Sequence, residues 1–430
     1  MAAGDVPGVV TTPGGLRGIC EPMAGVRSVA FGVWIGVGSR VEAAAVGGVS
    51  HFLEHMLFKG TPEHSAEQIA QVFDGMGGEV NAMTGRDYTV VYMRVLDELV
   101  ERGLGVMSQM VAAPTFADLD QERGVVIEEI AMYEDDPQDQ VHDMLGEAIF
   151  PDQPLGRPII GTREVIGSIP EADVRGHHAA YYTAPNIVVA AAGNITAERT
   201  RELAERYLGG LSRATAPSGV EPARAGGPRL TILEKPTEQV HLCLGGPGLA
   251  RSDPRRHAQS VLDTVLGGLM SSRLFQEVRE KRGLAYSVGS YTIAYGDAGQ
   301  VAVHLGTRED NVGLACEVIG AELRRLARDP VPADELARAK DHLTGRMVLG
   351  LESPGNRMNR LGRTVVTDAE LLSIDEIIRR IRAVTADDIT ALAREFWQPE
   401  GLSIVAVGPD GDVVREASAR LGGDRLEADA

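Results

Sequence analysis

The chain has 430 residues, 43% hydrophobic and 24% charged, with a formal net charge of −19. That length suits two domains of about 200 residues each, and no apolar run reaches the roughly 18 residues needed to cross a bilayer. The acidic balance argues against nucleic acid, whose phosphates need clustered Lys and Arg, and admits basic substrates.

In chain order, residues 1–18 form a Gly- and Pro-rich leader whose only basic residue is Arg17, so neither a secretory signal nor an Arg-rich transit peptide is expected. Val29 to Val37 (VAFGVWIGV) reads as a buried strand. A helix from about Gly48 to Phe58 stops at Lys59-Gly60-Thr61-Pro62, and a second from Ser65 to Met76 takes Ser65 as its N-cap. Two strands follow, Glu79 to Thr84 and Tyr88 to Val95, and then helices from Glu98 to Ala112 and from about Asp118 to Asp136, the latter closed by Pro137. After a Pro- and Gly-rich loop, Pro170 opens a helix to Tyr181, Asn186 to Gly193 is a buried strand, and Thr196 to Tyr207 is a helix. Residues 213–228, rich in Ala, Pro, Gly and Ser, read as a linker.

The second half repeats this order. Thr385 opens a helix through Phe396, and Leu402 to Gly408 is a strand ending on glycine about half a chain length after Gly193. Duplication of one fold is the simplest account. The expected division is 1–212, the linker 213–228, and 229–430. The fold class expected is α+β: two homologous domains, each a mostly antiparallel sheet with helices packed on one face. Cys20, Cys243 and Cys316 have no C-x-x-C spacing and read as reduced core thiols, which points to a cytoplasmic setting.

Chemistry concentrates in His51-Phe52-Leu53-Glu54-His55. On a helix, residues three and four apart share a face, so His51, Glu54 and His55 project into one volume. H-x-x-E-H is the metalloprotease pattern H-E-x-x-H reversed. A catalytic zinc site needs a third protein ligand and an open position. The helix carrying Glu122, Glu128 and Glu129 can supply it, and Glu122 and Glu129 stand two turns, about 10.5 Å, apart on one face. Periodicity does not choose between Glu128 and Glu129. The second half has no H-x-x-E-H; there Ser271 or Ser272 can cap a helix bearing Arg273 and Arg279, which Gly283 ends before a strand beginning at Tyr286.

Taken together, His51 through Thr61 (HFLEHMLFKGT), Asn81-Ala82-Met83-Thr84, Glu122-Arg123 leading into Glu128-Glu129-Ile130, and Ser272-Arg273-Leu274-Phe275 through Arg279 to Tyr286 resemble the pitrilysin family. That group includes insulin-degrading enzyme, the mitochondrial processing peptidase β subunit and shorter bacterial relatives; the resemblance covers nearly the whole chain. It implies one zinc ion per chain held by His51, His55 and Glu129, with Glu54 as general base and Glu122 supporting the site from outside the ligand set. It also implies that Arg279 and Tyr286 contact the scissile carbonyl, and that a strand including Val80, Asn81, Ala82, Met83 and Thr84 pairs with the substrate backbone. The expected function is a bacterial, cytoplasmic zinc metalloendopeptidase acting on peptides or small unfolded polypeptides. Long members of the family join four such domains and this chain has two, so the resemblance implies a homodimer with Arg279 and Tyr286 supplied in trans, or a heterodimer with a zinc-less homologue. The competing reading is a structural or peptide-binding homologue of the respiratory bc1 core type, without turnover.

Overall fold

The protein is described from a computed structural model, which covers residues 6–421; the first five residues of the leader lie outside them. Eleven strands are present among the described residues: β1 (Val10–Thr11), β2 (Arg17–Pro22), β3 (Ser28–Ile35), β4 (Glu79–Thr84), β5 (Thr89–Leu96), β6 (Ile187–Gly193), β7 (Leu230–Glu234), β8 (Val240–Gly248), β9 (Ala285–Ala294), β10 (Gly299–Thr307) and β11 (Ser403–Gly408). They form two sheets, ordered β1-β2-β6-β3-β5-β4 and β7-β11-β8-β10-β9. In the first, β2 runs parallel to β6 and every other pair is antiparallel. In the second, β7 runs parallel to β11 and the rest are antiparallel. Setting β1 aside, the two orders superimpose strand for strand, as duplication requires.

The helices preceding and flanking the site are α1 (Val49–Met56), α2 (Ala66–Met76), α3 (Val100–Ala112), α4 (Leu119–Asp135) and α5 (Pro137–Ile149). Their starts follow from local chemistry. Ser65 and Gln68 form a reciprocal capping box on α2. The expected closure of α4 at Pro137 is found, but the same proline opens α5, a helix for which the sequence reading has no element. Asp136 accepts from the Gln138 N–H at 2.8 Å, and a proline at the first helical position loses no backbone bond.

Two compact units result, each assembled from three segments. One comprises Met1–Ile130, Pro158–Glu221 and Met347–Asp375; the other comprises Ala131–Arg157, Pro222–Arg346 and Glu376–Ala430. The linker at 213–228 contains the exchange between units at Glu221 and Pro222, while 131–157 and 347–375 each belong with the unit built mainly from the other half.

Alternation along β3 shows how the first sheet is covered. Val29, Phe31, Val33 and Ile35 face a core with α1, α2 and α3, whereas Ala30 and Trp34 face Met358, Leu361 and Val365 of the helix Pro354–Val366. A strand buried on both faces reads as an unbroken apolar run, as VAFGVWIGV does. In the second unit α5 lies on the rear of its sheet, its Val141, Leu145 and Ile149 packing with Cys243, Ala302, Val405 and Val407. Each sheet thus carries its main helical layer on one face, as expected, and one further helix on the other. All three cysteines are free and buried.

Candidate metal centre

The backbone entering α1 is held by Glu42, a residue the sequence reading did not single out. Its buried carboxylate accepts from the Gly48 N–H at 2.6 Å and the Ser50 N–H at 2.7 Å, satisfying donors that a helix start leaves unpaired. Gly48 sits at φ +93°, and a Cβ there would lie 2.7 Å from the Ile160 carbonyl oxygen, so only glycine fits. Phe52, Leu53 and Met56 are fully buried and fix the roll of α1. That roll brings the His51 and His55 rings edge to face at 4.7 Å.

α4 supplies the facing carboxylate. Val126 and Ile130 bury its inward face, and the Arg123 guanidinium donates to the Ile166 and Ile169 carbonyls. Glu129 then points at the two imidazoles: its Oε2 lies 3.3 Å from His55 Nε2 and 3.7 Å from His51 Nε2. Glu128 is exposed. Ligand atoms on a tetrahedral zinc with bonds of 2.0–2.2 Å are separated by about 3.3–3.6 Å, so these three residues fit the ion; one ligand atom from each lies within 4.8 Å of the others. Burial, and secondarily the neighbouring His55, pull the His51 imidazole down to about 4, which leaves it neutral near pH 7 with a lone pair to give.

The two imidazoles have unequal support. His55 Nδ1 lies 2.8 Å from Glu122 Oε1, and the Lys59 ammonium is paired with the other oxygen of that buried carboxylate. A carboxylate on Nδ1 keeps the proton there and the Nε2 lone pair toward Glu129. His51 Nδ1, by contrast, is buried without a hydrogen-bond partner. Lys59 was missed, although it sits one turn beyond His55 and the i,i+4 spacing was visible.

Glu54 occupies the same face of α1 between the two histidines. Burial pushes its carboxyl up, opposed chiefly by a hydrogen bond from the Thr84 hydroxyl. Thr84 ends β4, which is the edge of the first sheet and, among the described residues, pairs only with β5. Val80 and Ala82 turn inward, while Asn81 and Met83 are exposed. A free strand edge of this kind can accept an extended peptide as an added strand.

Arg279 and Tyr286 belong to the second unit and meet each other: the guanidinium lies 4.6 Å over the Tyr286 ring and 4.7 Å over Phe275. Tyr286 is 78% exposed on β9. The helical segment carrying Arg279 is a stretch of π-helix, Phe275–Glu280, with no side-chain cap; the Ser272 hydroxyl donates to the Leu269 carbonyl at 2.6 Å instead.

A repeated α/β unit in which one copy carries a three-residue metal group, and the other lacks the motif, defines a class that comparison with known proteins makes specific. The family model described as Insulinase (Peptidase family M16) matches residues 20–163, and the one described as Peptidase M16 inactive domain matches 168–343. An uncharacterized zinc protease of Streptomyces coelicolor is 44% identical over 93% of this chain and 89% of its own length. Another, from Bacillus subtilis, is 41% identical over 94% of this chain and 98% of its own. A crystal structure of a peptidase M16 inactive domain from Pseudomonas fluorescens superimposes with a TM-score of 0.88 at 23% identity, covering 94% of this chain and 98% of that one. The chain belongs to peptidase family M16.

Proposed function

We propose that this protein is a zinc-dependent endopeptidase that hydrolyses peptides or small unfolded polypeptides. The observation that carries the reading is the convergence of His51, His55 and Glu129, with Glu54 beside them on the same helix face. The similar bacterial proteins named zinc proteases support zinc as the ion. When bound, zinc supplies a Lewis acid that polarises a peptide carbonyl and acidifies water.

The remaining steps are done by side chains of the chain. Glu54, desolvated and held by Thr84, takes the proton of the attacking water and returns it to the leaving amine. β4 orients the peptide through backbone pairing along Val80 to Thr84, leaving the side chains of Asn81 and Met83 exposed. Glu122 fixes the His55 ring, and Lys59 neutralises Glu122. Arg279 and Tyr286 present a hydrogen-bonding pair for the developing oxyanion, delivered in this reading by a second copy of the chain in a homodimer. No helix among the described residues is long and apolar enough to cross a membrane, and three free cysteines suit a reducing cytoplasm.

Glu54→Gln tests the mechanism. The variant keeps zinc and binds peptide while cleavage falls by about 10²–10⁴-fold; wild-type turnover in Glu54→Gln would refute the assignment of the base. For the trans arrangement, mixing inactive Glu54→Gln with inactive Arg279→Ala should restore part of the activity, and a fully active monomer would exclude it.

A further inference from the structure

The bond between Thr84 and Glu54 joins two parts of the site that have separate tasks. Thr84 is the last residue of the edge strand β4, and its side chain turns inward with those of Val80 and Ala82. Val80 and Ala82 rest on the core that contains Phe52 and Leu53, the two residues that precede Glu54 on α1. From the end of this strand the Thr84 hydroxyl donates to Glu54 Oε2. The rotamer of Glu54 is therefore set by where the end of β4 lies.

A strand paired along one edge only is free to fray, because half of its backbone groups are satisfied by solvent. A peptide that adds to the free edge of β4 supplies those partners and narrows the excursions of Thr84. Misplacing a reacting group by 1 Å can cost about 10²-fold in rate. Binding energy gathered along the strand would thus appear partly in turnover and not only in affinity.

We propose that Thr84 is a positioning residue that couples peptide pairing along β4 to the orientation of Glu54, so that extended substrates able to occupy the whole strand are turned over faster, and not merely bound more tightly, than short ones. This rests on the reading of Glu54 as general base. The substrate class selected is a chain segment that can lie as a β-strand along Val80 to Thr84. Folded segments and very short peptides are turned over slowly even at saturation.

The test uses the zinc-loaded full chain as wild type, Thr84→Ser, Thr84→Val and Glu54→Gln. Each is assayed on quenched-fluorescence peptides that share one scissile bond and are shortened stepwise from either end. Wild type and Thr84→Ser should lose kcat as the peptide shortens. Thr84→Val, nearly isosteric, should keep its zinc content and a KM that still responds to length. Its kcat should be lowered about tenfold on long peptides and be flat with length. Wild-type kcat and length dependence in Thr84→Val would overturn the proposal. So would a Thr84→Ser variant as impaired as Thr84→Val, since that would assign the effect to packing and not to the hydroxyl. The Glu54→Gln arm separates the two readings: full activity there removes the base assignment itself. An inactive Glu54→Gln beside an unaffected Thr84→Val removes only the coupling.

Discussion

Gly362→Ala should destabilise the first unit even though alanine is the better helix former. Gly362 lies in the helix Pro354–Val366 against Trp34 of β3; a Cβ at that position would sit 2.0 Å from the indole Nε1 and 2.2 Å from Cε2. Non-bonded atoms need about 3.5–4.0 Å, so the helix must lift by more than about 1 Å or Trp34 must leave its rotamer. Trp34 is 2% exposed and has nowhere to retreat. Lifting the helix uncovers Met358, Leu361 and Val365, which seal the rear of the sheet whose front carries α1. Overpacking costs about 1–3 kcal/mol and more where the backbone moves, and the gain in helix propensity returns about 1 kcal/mol. A net loss of about 2 kcal/mol is expected. Gly75→Ala is the control: it is an exposed glycine within α2 of the same unit, with nothing within 4 Å of the added Cβ, and should gain up to about 1 kcal/mol. Trp34 reports the first unit and Trp397 the second, so urea unfolding followed by fluorescence in a Trp397→Phe background reads the relevant transition. An unchanged or raised midpoint in Gly362→Ala would refute the packing argument.

Glu129→Gln should weaken zinc binding beyond the 10–100-fold that outer partners of a ligand are worth, whereas Glu128→Gln should leave it unchanged; competition with a chromophoric chelator measures both. Removing the metal with a chelator should abolish cleavage, and adding zinc should restore it. Glu21 is a buried carboxylate gripped by Arg357 and Arg360 of the helix Pro354–Val366, at 2.9 Å for Arg360. Glu21→Ala leaves two guanidinium groups unpaired and should cost about 2–3 kcal/mol, below the usual loss for a buried pair because the arginine side chains are 25% and 16% exposed; denaturation midpoints would show it. Asp263 carries a carboxyl pushed up to about 6 by burial, with Oδ1 unpartnered. Its folded pKa exceeds the unfolded value near 3.9, so the folded state binds the extra proton and stability falls as pH rises from about 4 to about 6. Asp263→Asn should therefore raise the stability of the second unit by about 2 kcal/mol at pH 8, somewhat less than the full shift because the residue is only partly buried, and by nothing near pH 4. A gain of equal size at both pH values would exclude the ionisation as its cause.

Local signals carried far in this chain. For the helices that the sequence reading bounded, Pro, Gly and capping residues marked the ends to within two residues, because those ends depend on the backbone itself: Ser65 caps α2, Thr196 caps the helix Ala197–Leu208 and Thr385 caps Ala386–Phe396. α5 escaped because Pro137 was read as a stop and is also a start. The segment 354–366 has no place in the sequence reading; its amphipathic pattern says that one face is buried. It could not say that the partner would be a sheet from the other end of the chain, since periodicity encodes a face and not its mate.

What the sequence alone determined is the short-range half of the centre. The 3.6-residue period of a helix places His51, Glu54 and His55 together whatever surrounds them, and the strand pattern of Glu79–Thr84 is likewise local. The tertiary structure decided the rest. Neighbouring positions on a helix differ by about 100°, so only the docking of α4 through Val126 and Ile130 turns Glu129, and not Glu128, onto the imidazoles. Packing of β4 beside α1 likewise put the Thr84 hydroxyl on Glu54, a contact between residues thirty positions apart that no helical or strand period could announce.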